Sequence, residues 1–488
     1  MDPNFRHPCA CILTLLHLAG TCLAQPDAGQ AGGEIARFDG HRVVRVEIRS
    51  ASDLQTALAL TDDVWSHQVR DSVDIRVTPE QYAALVASRL PHAVMIPDLQ
   101  ARIDAETAEV RAARFRDDPQ WYENFHTYDE IKTYCQALAA ANPGLAEYIV
   151  IGTSIQGRDI FGLRITGPGF TPSRPGVLYH AAQHAREWAT PPTAVYLAER
   201  LLADYTADPE TRHLVDNLEI FIVPVSNPDG YVYTWTNNRM WRKNRRDIPG
   251  SSCFGIDLNR NWGHEWGGQG ASSSFCNDTY RGPSAFSEPE TQALRDFTIA
   301  HPNIVGHHDI HSYGELLMHP WGYTSTQVPP ADLTFFTGLV ERMADAIHGV
   351  YARSYTTGPI NPLLYPASGT SVDWMYGARA IKSVTTEVRE DSYGFIMPTA
   401  EILPNATENY FAELELARSL APPLPTGCYP NCDGSTEPPT LNVADFTCFL
   451  QLFAAGESAA NCDASTVPPV LNVADFTCFL QAFAAGCP

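Results

Sequence analysis

The sequence predicts an α/β protein whose sheet lies buried between layers of helices, with a small α+β domain in front and a helical repeat module behind. Three observations carry this prediction. From about residue 121 to 417, apolar β-rich runs alternate with helical ones, the mark of a sheet covered on both faces. A tighter strand–helix–strand–helix–strand pattern fills residues 42–116. The segment Leu441–Gln451 recurs at Leu471–Gln481, a repeat with a period of about 30 residues.

The elements follow in chain order. Arg6 and His7 precede an apolar stretch, Ala10 to Leu23, and small residues stand before Gln25, so residues 1–24 read as an export signal. Residues 25–40 are small and Gly-rich, a leader within the unit 25–116. That unit is expected to hold strands Val43–Ile48, Ser72–Val77 and Ala93–Ile96 and helices Asp53–Ala59 and Pro79–Arg89. The main domain, 117–420, should contain strands Val177–Ala182, Leu218–Val225, Ile304–His311 and Ser383–Val388. Its helices are expected at Tyr128–Ala141, Ala189–Tyr205, Glu288–Ala300 and Thr407–Leu420. A Pro-rich linker, 421–427, separates it from the repeats at 428–488.

Composition removes several function classes. The 488 residues allow about three domains. An apolar content of 44% with 10% aromatics excludes a mostly disordered chain. A net charge of −23 argues against a nucleic-acid partner, which requires a basic face. After the first 25 residues no apolar run is long enough to span a membrane. Of the twelve cysteines three leave with the signal, and the rest suit an oxidising destination, giving a secreted protein. Cys135, alone in a helix-like stretch, is expected to be a free buried thiol.

The stretch Tyr179-His-Ala-Ala-Gln-His-Ala-Arg-Glu-Trp188 carries the chemistry. It follows a predicted strand and ends where a helix begins, so His184 and Glu187, three apart, can aim at one point. An imidazole and a carboxylate suit zinc, but His-x-x-Glu alone is common by chance. A zinc hydrolase needs a third protein ligand and an open position for water; His311, in Asp309-Ile-His-Ser-Tyr313, ends another predicted strand. No His-Glu-x-x-His pair occurs, which removes the thermolysin-like arrangement.

Further blocks complete a pattern: Asn227-Pro-Asp-Gly-Tyr231, Asn238-Arg-Met-Trp-Arg-Lys243, Asp257-Leu-Asn-Arg-Asn-Trp262 and Thr386-Glu-Val-Arg389. In order and approximate spacing they resemble the carboxypeptidase A type of zinc metallocarboxypeptidase, and the preceding α+β segment resembles that family's activation propeptide. The resemblance implies a mixed central sheet and hydrolysis of the C-terminal peptide bond. It assigns zinc to His184, Glu187 and His311, the general base to Glu387 and oxyanion stabilisation to Arg242. It assigns the substrate's terminal carboxylate to Asn259 and Arg260, closure over the bound residue to Tyr365, and contact further along the peptide to Arg186. Asp257 would orient the first zinc histidine. Cys253 and Cys276 match a disulfide position common among animal members. Lys243, Arg245 and Arg246 are expected to form a solvated basic turn.

The same resemblance makes Val372 the floor of a side-chain pocket with Met318, Ile360, Ala367 and Thr370, which implies aromatic and large aliphatic terminal residues. Asp309 lies two residues before His311, hence on the same face of its strand, and offers a second, basic specificity unless a neighbour satisfies it. The expected partners are peptide C-termini and an activating protease that cuts near Ala112-Ala-Arg-Phe-Arg-Asp117. Two other classes remain: a silent peptide-binding member, which would lack a ligand or the glutamate, and a cell-wall stem-peptide amidase, which would lack the Asn259/Arg260 clamp.

In the tail, Phe446, Phe449, Leu450 and Phe453 fall on one helix face. The preceding Asn431, Asp433, Ser435, Asn442 and Asp445 resemble dockerin-like, EF-hand-type loops, which implies Ca²⁺. Glu437-Pro-Pro-Thr440 lengthens the loop, however, and a disulfide-stapled module whose polar residues cap helices fits equally. Either form suits attachment to a surface or scaffold partner.

Overall fold

The computed structural model describes residues 35–61, 63–65, 71–114, 120–389, 393–422, 431–434, 441–457, 460–462 and 471–485. The export signal, Phe115–Asp117 of the expected cleavage stretch, most of the Pro-rich linker, Cys428 and Cys487 lie outside them.

The small N-terminal domain runs β1 (Arg42–Glu47), α1 (Ala51–Leu58), β2 (Ser72–Val77), α2 (Pro79–Ser88), β3 (His92–Ile96) and α3 (Leu99–Ala113). Its antiparallel sheet has the order β2-β1-β3. Local signals set the helix starts. Thr78 accepts from Gln81 N–H while the Gln81 side chain returns to the Thr78 backbone, and Pro79 opens the helix where no N–H is needed. Val44, Val46, Val73, Ile75 and Leu85 form the core.

The sequence reading missed α3. Its buried face is Leu99, Gln100, Ile103, Glu106, Val110 and Ala113, and the two polar members interrupt the apolar period. Glu106 is buried because Arg239 of the main domain meets it with two hydrogen bonds of 2.6 and 2.8 Å. Arg102 adds a bond of 2.9 Å to Ile396 O.

The main domain continues with α4 (Tyr128–Ala141), β4 (Ala146–Thr153), β5 (Asp159–Ile165), β6 (Gly176–Ala181), α5 (Thr190–Asp204), α6 (Pro209–Asn217), β7 (Glu219–Val223) and α7 (Pro228–Thr236). Then come α8 (Pro289–Ala300), β8 (Ile304–Ser312), β9 (Leu316–His319), α9 (Pro330–Tyr351), β10 (Thr356–Pro359), α10 (Ile360–Leu363), α11 (Ser371–Arg379), β11 (Lys382–Val388) and α12 (Ile402–Leu420). Eight strands make one mixed sheet in the order β10-β9-β11-β8-β6-β7-β5-β4. The expected elements form with ends within two residues, except that α12 starts at Ile402 rather than Thr407. Pro404 lies in its first turn, where its missing N–H costs nothing.

Strand β6 shows the sandwich directly. Val177 and Tyr179 pack into one core with Leu201, Leu339 and Leu414 of α5, α9 and α12, while Leu178 packs into a second with Leu294 and Met375 of α8 and α11. β6, β8 and β11 run parallel and end at the same edge. Because the chain proceeds from β6 to β7 on one side and reaches β8 on the other, a crevice opens beyond their carboxyl ends.

The tail supplies α13 (Val443–Ala455) and α14 (Val473–Ala485). Phe449 and Phe479 stack at 4.0 Å, and disulfides Cys432–Cys448 and Cys462–Cys478 tie each helix to the loop before it. Cys253 and Cys276 are also bonded. Cys135 is a free buried thiol, and burial pushes its pKa up to about 12. Among the described residues no helix is long and apolar enough to cross a membrane.

Candidate metal centre and substrate cleft

Between β6 and α5 the chain bends sharply. Ala182 takes a left-handed φ of 50°, and its N–H donates to Thr190 Oγ1 at 3.0 Å. The bend aims two side chains back over the sheet edge. His184 Nδ1 lies 2.8 Å from Glu187 Oε1, and His311 Nδ1, from the end of β8, lies 3.0 Å from Glu187 Oε2. All three are buried, with donor atoms within 4.8 Å of one another. Zinc at 2.0–2.1 Å from each of three tetrahedral ligands sets them about 3.3 Å apart, so two imidazoles and a carboxylate in this arrangement fit that ion. Burial would raise the Glu187 carboxyl, yet the two histidines hold it below the ordinary range.

Asp257, wholly buried, fixes the first histidine: its Oδ1 lies 3.1 Å from His184 Nε2. Its Oδ2 accepts from Arg242 Nη2 at 3.0 Å, which brings that guanidinium beside His184. Glu387, near the end of β11, pairs in register with His311. Burial and the Glu187 charge raise its carboxyl well above the usual range, against His311 and Arg242.

A cavity opens from this group into the protein. Arg242, Asn259, Arg260, His311 and Glu387 line it together with Met318, Ile360, Ala367, Thr370 and Val372. Asn259 and Arg260 belong to a one-turn 3-10 helix, Leu258–Arg260, capped by Asp257. Arg260 is pinned through Nε to Gly270 O at 2.8 Å and Nη1 to Asn259 O at 2.8 Å, and Nη2 reaches Tyr365 Oη at 3.5 Å.

Two expectations need correction. Asp309 is not among the residues that line the cavity: its carboxylate is fully buried, and Oδ2 is met by Gln183, Ser371 and His311. The basic turn is not solvated either. Lys243 is buried and donates to Phe275 O and Asn277 O at 3.0 and 3.1 Å. Arg245 stacks 3.6 Å over Tyr233, and Arg246 pairs with Glu288 at 2.9 Å. The loop tied by Cys253–Cys276 folds back over this turn and supplies the carbonyls that Lys243 binds.

Arg186 is not among the residues that line the cavity and lies against the N-terminal domain. Its Nη1 lies 3.3 Å from Asp63 Oδ1 and 3.5 Å from Asp278, and its guanidinium covers Phe395. Asp63, which sequence reasoning missed, also pairs with Arg76. Leu54, Leu58, Thr61 and Val64 of this domain face Asp278, Tyr365 and Pro366 across one groove.

Residues 131–412 match the family model for zinc carboxypeptidases, and 44–106 match that for the carboxypeptidase activation peptide. This chain belongs to the zinc carboxypeptidase family. The carboxypeptidase is 37% identical to carboxypeptidase A2 of Rattus norvegicus over 76% of its length and 92% of the relative's. With carboxypeptidase A1 of Bos taurus it shares 35% over 83% and 97%. Among solved structures, carboxypeptidase A from Helicoverpa armigera superposes with a TM-score of 0.72 at 31% identity, covering 80% of this chain and 98% of that one. The protein is therefore a zinc metallocarboxypeptidase, and its activation peptide implies activation by proteolytic cleavage.

Proposed function

We propose that the carboxypeptidase is exported as a latent precursor and, once cut, removes aromatic and large aliphatic residues from peptide C-termini. The observation that carries this reading is that Val372, Met318 and Ile360 line the same cavity as Arg260. In this reading the Arg260 fork and the Asn259 amide take the terminal carboxylate, since a planar guanidinium pairs with a carboxylate through parallel N–H bonds. Tyr365, in reach of Arg260, closes over the bound residue.

His184, Glu187 and His311 would hold the zinc, which supplies Lewis-acid activation of water and of the scissile carbonyl. Glu387 takes a proton from the water and returns it to the leaving amine, acting as general base and then general acid. Arg242, fixed by Asp257, faces the oxygen on which charge develops. Latency is supported by Asp63, which occupies Arg186, the residue assigned to the peptide further along. Export is supported by the leader sequence and by three disulfides.

For the tail, the helix-capping reading is favoured over calcium, with attachment to a surface or scaffold as its role. Asp445 is fully buried, and its two oxygens accept the backbone N–H groups of Asp433 and Asn442 at 3.1 and 2.8 Å. Asp475 accepts from Asn472 N in the same way.

The test of specificity is kcat/KM of the cut enzyme on matched peptides ending in Phe, Leu, Arg and Glu. Phe and Leu should exceed both charged ends by at least about tenfold, the cost of bringing an unpaired charge into an apolar pocket. Arg released as fast as Phe would sink the assignment.

A further inference from the structure

Asp309 stands behind His311 much as Asp257 stands behind His184. We propose that Asp309 is a positioning residue that holds His311 in the tautomer and orientation the metal requires. The proposal rests on the reading of His184, Glu187 and His311 as zinc ligands.

The geometry begins with strand alternation, which puts Asp309 and His311 on one face of β8. Asp309 Oδ2 lies 3.0 Å from His311 Nε2, while His311 Nδ1 faces Glu187. A neutral imidazole carries one N–H, so a ring that offers its Nδ1 lone pair must keep its proton on Nε2 and needs an acceptor there. Among the described residues, Asn259 Nδ2 is a second polar neighbour of that nitrogen, at 3.2 Å. It cannot be that acceptor: Asn259 Oδ1 is committed to Ser371 N, so only N–H groups turn towards the ring. The carboxylate of Asp309 can.

That carboxylate is itself fixed from three elements. Gln183, in the bend after β6, donates Nε2 to Oδ2 at 2.8 Å, and its own orientation is set because Oε1 accepts from Trp262 Nε1 at 2.9 Å. Ser371, opening α11, donates its hydroxyl to the same oxygen. His180 of β6 approaches Oδ1 at 3.4 Å. The oxygen that faces His311 is thus held in place by donors from two other elements.

The test measures zinc affinity of the full chain by competition with a chromophoric chelator, together with melting of metal-stripped and zinc-loaded protein. Asp309→Asn keeps the volume and removes the charge; it should weaken zinc binding by about 10- to 100-fold. It should also narrow the melting gap between loaded and stripped forms. The preference of the cut enzyme for Phe over Arg ends should not change. Ser371→Ala, which loosens Asp309 without touching it, should give a smaller loss of zinc affinity, and it carries the test if Asp309→Asn does not fold. Unchanged zinc affinity in the folded variants overturns the proposal, as does an equal drop in melting of loaded and stripped forms. A changed Phe/Arg preference with intact zinc affinity returns Asp309 to the substrate pocket. A wild-type chain that takes up no zinc overturns the ligand reading itself.

Discussion

The main domain and the tail close their cores by opposite means. The main domain surrounds an eight-stranded sheet with helices and buries charge freely: Asp257, Asp309 and Glu408 are shut off from water because partners from other elements meet them. Among the described residues it uses one disulfide and leaves Cys135 unbonded. The tail has two 13-residue helices, a small cluster around Phe449 and Phe479, and a disulfide for each helix. Its buried carboxylates, Asp445 and Asp475, accept from backbone N–H groups. A large core thus supports polar machinery, whereas a small one needs covalent ties.

The sharpest way to separate the two regions is Glu387→Gln. It should lower kcat by about 100- to 10,000-fold, the range of a lost general base, with zinc content near one per chain and the tail untouched. Substantial turnover in that variant would remove Glu387 from the chemistry. Next comes Cys448→Ser with Cys478→Ser. Loss of a native disulfide costs about 2–5 kcal/mol in small domains, so proteolysis should open the tail while the main calorimetric transition stays in place. A common shift of both would mean that the regions do not melt independently.

Glu413 breaks the pattern within the main domain, since neither carboxyl oxygen has a hydrogen-bond partner among the described residues and the residue is fully buried. Glu413→Leu should stabilise the domain by about 1–3 kcal/mol, the cost of an unsatisfied buried group. The sign of its pH dependence follows from burial, which raises the folded-state pKa well above the ordinary carboxyl value. The folded state therefore holds the proton longer, and stability falls as pH climbs above that value. That part of the slope should vanish in the Leu variant, as melting curves at several pH values would show; an unchanged slope assigns it elsewhere. The smallest effect concerns calcium. At about 1 mM, a level that fills weak extracellular sites, added calcium should leave tail proteolysis unchanged. Clear protection would restore the loops as ion sites.

The sheet and its polar edge were legible because β6, β8 and β11 are short apolar runs, each followed or ended by a chemical group. Helix α3 was not, because Gln100 and Glu106 occupy its inner face and only the distant Arg239 makes Glu106 tolerable there. Lys243 reads as a surface residue until the loop carbonyls of Phe275 and Asn277 are in place. Strand alternation turned Asp309 inward correctly, but a linear sequence does not say that Gln183 and Ser371 meet it there. Asp63 carries no local pattern at all; its importance comes from facing Arg186 across two domains.

Asp257 has one further consequence. Its two oxygens are divided between His184 and Arg242, so a single rigid group sets the spacing of an imidazole and a guanidinium that come from different loops. The backbone around it is fixed as well, since Asn259 N–H donates to the same carboxylate. A displacement on either side is passed to the other through one lever. Damage to the two sides is then shared rather than summed, and the cleft has one alignment to keep, not two.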